Sequence, residues 1–203
     1  MLITGIRSKP VYAKLQPDLR GRYHLMVGQG VGGEPLLRVL RELQTAAPSA
    51  GSHTQILYVT DRTASDSVIE QIRSANVAGV RLFEHGDELL DAFQAVLAGS
   101  LMGTRLYVAG PESFMGLVMR IALQFNLNKD EIRAEECGTL ARRVYCIHCR
   151  SASENVRTNV TQCSCGRWLV VRDHYSRRLA AYMGVMVDAE APGELPAIKE
   201  VFL

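Results

Sequence analysis

Five short apolar runs, each followed by an amphipathic or turn-forming stretch, constrain this chain more than any other feature. The runs are Tyr23-His-Leu-Met-Val27, Gln55-Ile-Leu-Tyr-Val-Thr60, Val80-Arg-Leu-Phe83, Thr104-Arg-Leu-Tyr-Val-Ala109 and Glu131-Ile-Arg-Ala-Glu135. Between them lie helical spacings: Leu36, Leu37, Leu40 and Leu43 behind Pro35, then Val68, Ile69 and Ile72. Leu89, Leu90, Phe93, Val96 and Leu97 follow Asp87, and a fourth helix is expected from Gly110-Pro111 to about Phe125. Such alternation predicts an α/β fold over residues 23–137, a parallel sheet with helices on both faces. Ligands of such sheets bind outside the carboxyl ends of the strands. Residues 1–22 read as an arm, with one edge strand expected between Pro10 and Pro17.

Beyond the sheet the pattern changes. Cys146-Ile-His-Cys149 and Cys163-Ser-Cys165-Gly166 are two close cysteine pairs separated by a short loop. Four thiolates so spaced can surround one metal ion, and Gly166 relieves the backbone after the second pair. The Cys-x-Cys pair departs from the usual two-residue spacing, and disulfides or buried free thiols are the alternative. Five cysteines is an odd number, which argues against a closed disulfide framework; Cys137, the one left over, is expected to be a small buried residue. Zinc is preferred and iron is the alternative, since both accept four thiolates in a tetrahedron. His148 is expected to be a non-ligand, because four sulfurs complete the set.

Residues 138–187 are therefore read as a metal-binding module, its cysteine stretch from Val144 to about Arg172 too small to hold a core without help, and residues 188–203 as an extended surface tail. Trp168-Leu-Val-Val171 is expected to form a strand. Asp173 opens a polar start to an apolar run; His174 and Tyr175 are expected in a helix-capping or packing role, with lining a path to a partner's cofactor as the other reading. Arg142, Arg143, Arg177 and Arg178 are either a docking face or a solvated surface. Trp168, Tyr175 and Tyr182 are expected to anchor a redox partner, with packing under the chain's own sheet as the competing reading.

The 203 residues carry 23 basic and 21 acidic side chains, a formal charge of +2 that gives no reason to expect nucleic acid. The start of the chain lacks a secretory signal and no apolar stretch is long enough to span a bilayer, so the expectation is a cytoplasmic protein away from membranes.

Gly28, Gly30 and Gly33 match G-x-G-x-x-G between a strand and a helix, a turn that lets backbone amides approach a pyrophosphate. Gly110-Pro-Glu-Ser-Phe-Met115 resembles the Cys-Gly-Pro-x-x-Met segment of the ferredoxin reductase family, which lies near the nicotinamide. Arg62 stands where those reductases place a contact to the adenosine ribose or its phosphate. That resemblance covers Tyr23 to Glu136 and implies Gly28, Gly30, Gly33, Arg62, Gly110 and Pro111 as dinucleotide-binding residues. It departs from the family in Glu34, where a Thr is usual, in Ala109, where a Cys is usual, and in the flavin-binding barrel, for which residues 1–22 leave no room. These departures argue against NAD(P) binding.

Together Cys146-Ile-His-Cys149, Cys163-Ser-Cys165-Gly166 and Asp173-His-Tyr-Ser-Arg-Arg-Leu resemble the small subunit of bacterial dimethylamine monooxygenase over nearly the whole chain. The resemblance implies an auxiliary oxidoreductase subunit, not catalytic alone, in a complex that oxidises dimethylamine with dioxygen and reduced pyridine nucleotide. Its partners would be a haem-bearing oxygenase subunit and a reductase subunit with FMN and an iron–sulfur centre. The alternative function is a free-standing zinc-ribbon regulator or nucleotide sensor.

Overall fold

The computed structural model describes residues 8–203, which divide into two compact units, one from Tyr12 to Gly138 and one from Thr139 to Leu203 with the described N-terminal residues up to Val11. In the first, the order is β1 (Tyr23–Gln29), α1 (Gly33–Ala46), β2 (Thr54–Val59), α2 (Asp66–Arg73), β3 (Gly79–Phe83), α3 (Gly86–Ala98), β4 (Thr104–Gly110), α4 (Glu112–Gln124) and β5 (Ile132–Glu136). The strands form one parallel sheet in the order β3-β2-β1-β4-β5.

Alternation along the strands divides the core. Met26, Ile56, Tyr58 and Tyr107 face Leu36, Leu40 and Leu43 of α1 and Val68 and Ile72 of α2. Their neighbours Leu25, Val27, Leu57 and Val108 face Leu89 and Phe93 of α3 and Met115, Val118 and Ile121 of α4. Two helices thus cover each face, which is why the central strands read as continuous apolar runs. Ser65 caps α2 by accepting from the Val68 amide. After α4, Asn126 takes φ +62° and turns the chain out of the helix. Because the chain reverses order between β1 and β4, their carboxyl ends flank a switch-point crevice.

The expected edge strand between Pro10 and Pro17 does not form: these residues lack regular structure. Side chains tie the stretch down instead of a ladder. The Leu15 amide donates to Glu135 Oε2, and Arg38 joins the Leu15 carbonyl to the same carboxylate. Buried Asp18 accepts from Arg20, Arg105 and Arg133, and its amide donates to the Tyr107 hydroxyl. The Arg20 hydrogen bond above all, with help from Arg105, holds the Asp18 carboxyl far below the usual carboxylate range.

The second unit is a five-stranded sheet in the order β7-β6-β10-β9-β8, from β6 (Arg142–Cys146), β7 (Ala152–Val156), β8 (Val160–Gln162), β9 (Trp168–Ser176) and β10 (Ala181–Met186). β6 and β10 are parallel; the other pairs are antiparallel. This unit has a core to which the cysteine stretch supplies Val144, Val156 and Val171, while Tyr175, Tyr182 and Phe202 come from beyond it. His174 and Tyr175 cap no helix, since both lie within β9. β9 continues through His174 and Tyr175 to Ser176, because Val171 and Tyr175 fall on the inner face while Asp173 and His174 are solvated. The reading of Tyr175 and Tyr182 as docking anchors is likewise corrected: both are buried, their rings 5.1 Å apart edge to face. The Arg142 guanidinium lies between the Tyr182 and Phe202 rings, 3.9 and 3.8 Å from their centroids, and bonds Asp173 Oδ1 at 2.7 Å. It is thus part of the core and not a solvated surface. The segment after Asp188 joins the same unit, with the Val201 and Phe202 amides donating to the Arg157 carbonyl.

Candidate metal centre

Each cysteine pair sits at the tip of a hairpin. Cys146 ends β6; the chain turns through Ile147 to Arg150 and returns as β7. The Cys146 amide donates to the Ser151 carbonyl, the Arg150 amide to the Cys146 carbonyl, and Arg150 takes φ +66° to close the turn. Cys163 follows β8. Its amide donates to the Arg167 carbonyl, the Gly166 amide returns to the Cys163 carbonyl, and Gly166 at φ +83° adopts the left-handed backbone that the sequence assigned to it. Arg150 fills the corresponding place in the first turn without being a glycine, at a strain cost of roughly 1–3 kcal/mol for such conformations.

The four Sγ atoms of Cys146, Cys149, Cys163 and Cys165 all lie within 4.8 Å of one another, and Cys149 and Cys163 are 3.5 Å apart. A tetrahedron with metal–sulfur bonds of about 2.3 Å has edges of about 3.8 Å, so the quartet fits a single ion. The surroundings favour thiolates at Cys149 and Cys163 and oppose one at Cys146. The Cys165 amide and then the Ser151 hydroxyl bring the Cys163 thiol down to about 6, while burial pushes the Cys146 thiol up to about 11. The Ser151 hydroxyl also lowers Cys149, from which it lies 3.0 Å. Cys146 and Cys163 are buried, Cys165 is half-buried and Cys149 is exposed, so one donor reaches the surface. His148 is exposed and outside the quartet.

Ser151 is the residue that sequence reasoning missed. It stands 3.4 Å from Cys163 Sγ and 3.4 Å from the Ser164 hydroxyl, bridging the two hairpin tips. A serine two positions after a cysteine is too common a pattern to announce this.

The remaining candidates lie at the carboxyl edge of the parallel sheet. Gly28 lies near the end of β1, Gly30 begins the turn at φ +56°, Gly33 opens α1, Gly110 ends β4 and Pro111 lies between β4 and α4. The geometry brings these together. Arg62 is exposed between β2 and α2. The neighbours of Gly30 were not anticipated: a Cβ there would lie 2.0 Å from Thr63 Oγ1 and 2.6 Å from Asp61 Oδ1. The buried Tyr58 hydroxyl donates to the Gly30 carbonyl. Cys137, expected to be buried, is half-buried; its amide donates to the Gly110 carbonyl, and burial pushes its thiol up to about 11.

Fold and site together define a class: a chain with a parallel α/β unit in the strand order β3-β2-β1-β4-β5 and a β-sheet module whose hairpin tips carry a four-cysteine cluster that could hold a metal ion. The family described as "Dimethylamine monooxygenase subunit DmmA-like, N-terminal domain" matches residues 4–132, and its C-terminal domain matches residues 143–185. The chain belongs to this family. It is 28% identical over 148 residues to the heme-dependent oxidative N-demethylase delta subunit of Ectopseudomonas mendocina (strain ymp), covering 71% of this chain and 85% of that one. Among solved structures, the ferredoxin reductase in carbazole 1,9a-dioxygenase shares 18% identity at a TM-score of 0.48, over 61% of this chain and 40% of that one. The ferredoxin-NADP+ reductase from Plasmodium falciparum shares 15% at a TM-score of 0.44, over 57% of this chain and 52% of the other. The chain thus spans about half or less of the reductases it matches. Among the described residues no helix is long and apolar enough to cross a membrane.

Proposed function

We propose that this chain is an auxiliary, non-catalytic subunit of a multicomponent haem-dependent N-demethylase acting on dimethylamine. In this reading Cys146, Cys149, Cys163 and Cys165 hold one zinc ion that fastens the two hairpin tips, and the module contributes to assembly with haem-bearing and flavin-bearing subunits. The observation that carries the reading is the quartet of sulfurs within 4.8 Å in a chain of this family. Zinc held there would supply cross-linking and no redox chemistry. Ser151 orients the Cys149 and Cys163 sulfurs, and the Cys165 amide stabilises charge on Cys163.

A second reading, one-electron relay through iron in the same four thiolates, is favoured by the exposure of Cys149, since a relay needs a donor near the surface. Elemental analysis of the isolated chain with its visible spectrum separates the two: one equivalent of zinc and no colour, or one equivalent of iron with thiolate-to-iron absorption. Copurification from cells expressing the neighbouring genes tests the assembly. A monodisperse monomer that captures neither a haem-bearing nor a flavin-bearing chain would refute it in favour of a free-standing zinc-ribbon regulator.

A further inference from the structure

A dinucleotide on a sheet of this topology lays its pyrophosphate against the glycine turn after the first strand, facing the turn's amides and the start of the next helix. In this chain two of the turn's amides are already engaged, that of Gly33 by the Gly30 and Val31 carbonyls and that of Val31 by a side chain. The Val31 amide donates to Thr63 Oγ1 at 3.2 Å, and the Thr63 hydroxyl donates on to Asp61 Oδ1 at 2.6 Å. The Thr63 amide donates to the same oxygen at 2.8 Å, and Gln29 Nε2 donates to Asp61 Oδ2 at 3.0 Å. The carboxylate of Asp61 therefore stands against the turn as an internal anion. The space is filled as well as the hydrogen bonds, since Thr63 and Asp61 occupy the open side of Gly30 at sub-contact distances from a Cβ. Two further features work in the same direction. Glu34 puts an exposed carboxylate in the first turn of α1, where a phosphate would need the helix terminus to itself. Across the crevice, the chain leaving β5 passes over the β4–α4 connection: the Cys137 amide bonds the Gly110 carbonyl, and a Cβ on Gly138 would meet Val31 Cγ2 at 3.3 Å and Pro111 Cγ at 3.6 Å.

We infer that Asp61 and Thr63 are a built-in occupant of the phosphate position, and that the α/β unit works without any dinucleotide. The glycines persist in this reading because the turn still needs the positive φ of Gly30 and the close approach of Gly32, whose Cβ would lie 2.2 Å from the Ala109 carbonyl oxygen. They serve contacts within the chain and no ligand.

The test is a calorimetric titration of the full chain with NADH, NADPH and ADP. No saturable binding is expected up to millimolar ligand, and saturable binding of any of the three overturns the inference. The second arm opens the site with the triple variant Asp61→Gly/Thr63→Gly/Glu34→Thr, its fold checked by circular dichroism. This variant is expected to bind ADP at least tenfold more tightly than the unmodified chain. A folded triple variant that still ignores ADP overturns the assignment of exclusion to these side chains. If the triple variant does not fold, the titration of the unmodified chain still decides.

Discussion

Replacing Tyr182 by alanine should unfold the cysteine-bearing unit selectively. Its ring is 1% exposed, packed edge to face on Tyr175 and stacked under the Arg142 guanidinium. Truncating a buried aromatic to alanine costs about 3–5 kcal/mol, and a desolvated cation–π contact adds about 2. Arg142 keeps Phe202 on its other face, so part of the second figure survives. The net expectation is about 4–6 kcal/mol. A unit of about 65 residues, from Thr139 to Leu203, has roughly 3–10 kcal/mol of stability at 0.05–0.15 kcal/mol per residue, so the change removes most of it. Tyr182→Phe keeps the ring and should cost about 1 kcal/mol at most. The assay is supplied by the chain, whose single tryptophan, Trp168, starts β9. Its fluorescence reports the cysteine unit in urea, whereas far-ultraviolet dichroism is dominated by the four α-helices of the other unit. Tyr182→Ala should move the Trp168 transition to much lower urea and leave the dichroism transition in place. An unmoved Trp168 transition, with weakened capture of a haem-bearing or flavin-bearing chain, would refute the packing argument and restore Tyr182 as a docking anchor.

Cys163→Ser should lose most bound metal, read by elemental analysis, and raise protease sensitivity around residues 144–171 while the α/β unit stays resistant; structural zinc in finger peptides contributes about 10–16 kcal/mol. Ser151→Ala should keep the ion but release it to a chromogenic chelator several-fold faster, because two sulfurs lose a hydroxyl neighbour. Asp18→Ala should lower the stability of the α/β unit by about 3 kcal/mol, since it leaves Arg105 and Arg133 without their shared partner. The depressed Asp18 carboxyl contributes stability that is present above its ordinary value near 3.8 and lost as pH falls towards its lowered folded value, so Asp18→Asn should flatten the acid limb of the dichroism melt. Cys137 has the opposite sign: its raised thiol contributes stability present below 9.0 and lost as pH rises through about 11, and Cys137→Ser should reduce the alkaline loss.

The sheet was legible because its strands carry their burial in the sequence. Met26 and Leu25 lie on opposite faces, and the apolar runs end where β1 and β4 meet their turns. The cysteine quartet was legible because knuckle spacing is local. What failed depended on contacts distant in sequence. Tyr12 to Arg22 is held by Glu135, Tyr107 and Arg133, residues whose proximity no local pattern states. His174 and Tyr175 invited a capping role because polar-then-apolar order is shared by helix openings and by strands with one solvated face. The Asp61–Thr63 filling needed the β2–α2 connection to be brought against the β1–α1 turn, which only parallel pairing of β1 and β2 accomplishes.

The parallel pairing of β6 with β10 bears on how the cysteine unit comes together in time. Hairpins β6–β7, β8–β9 and β9–β10 are local and form without waiting for distant chain, whereas pairing β10 with β6 closes 34 intervening residues. An ion gripping the tips of the β6–β7 and β8–β9 hairpins would hold β6 near the β9–β10 pair, and the closure entropy of the β6–β10 pairing would fall. In that order of events a bound metal would act as a jig for assembly. Refolding followed by Trp168 fluorescence should be markedly slower with a chelator present, even under conditions where the metal-free unit finally reaches the same fold.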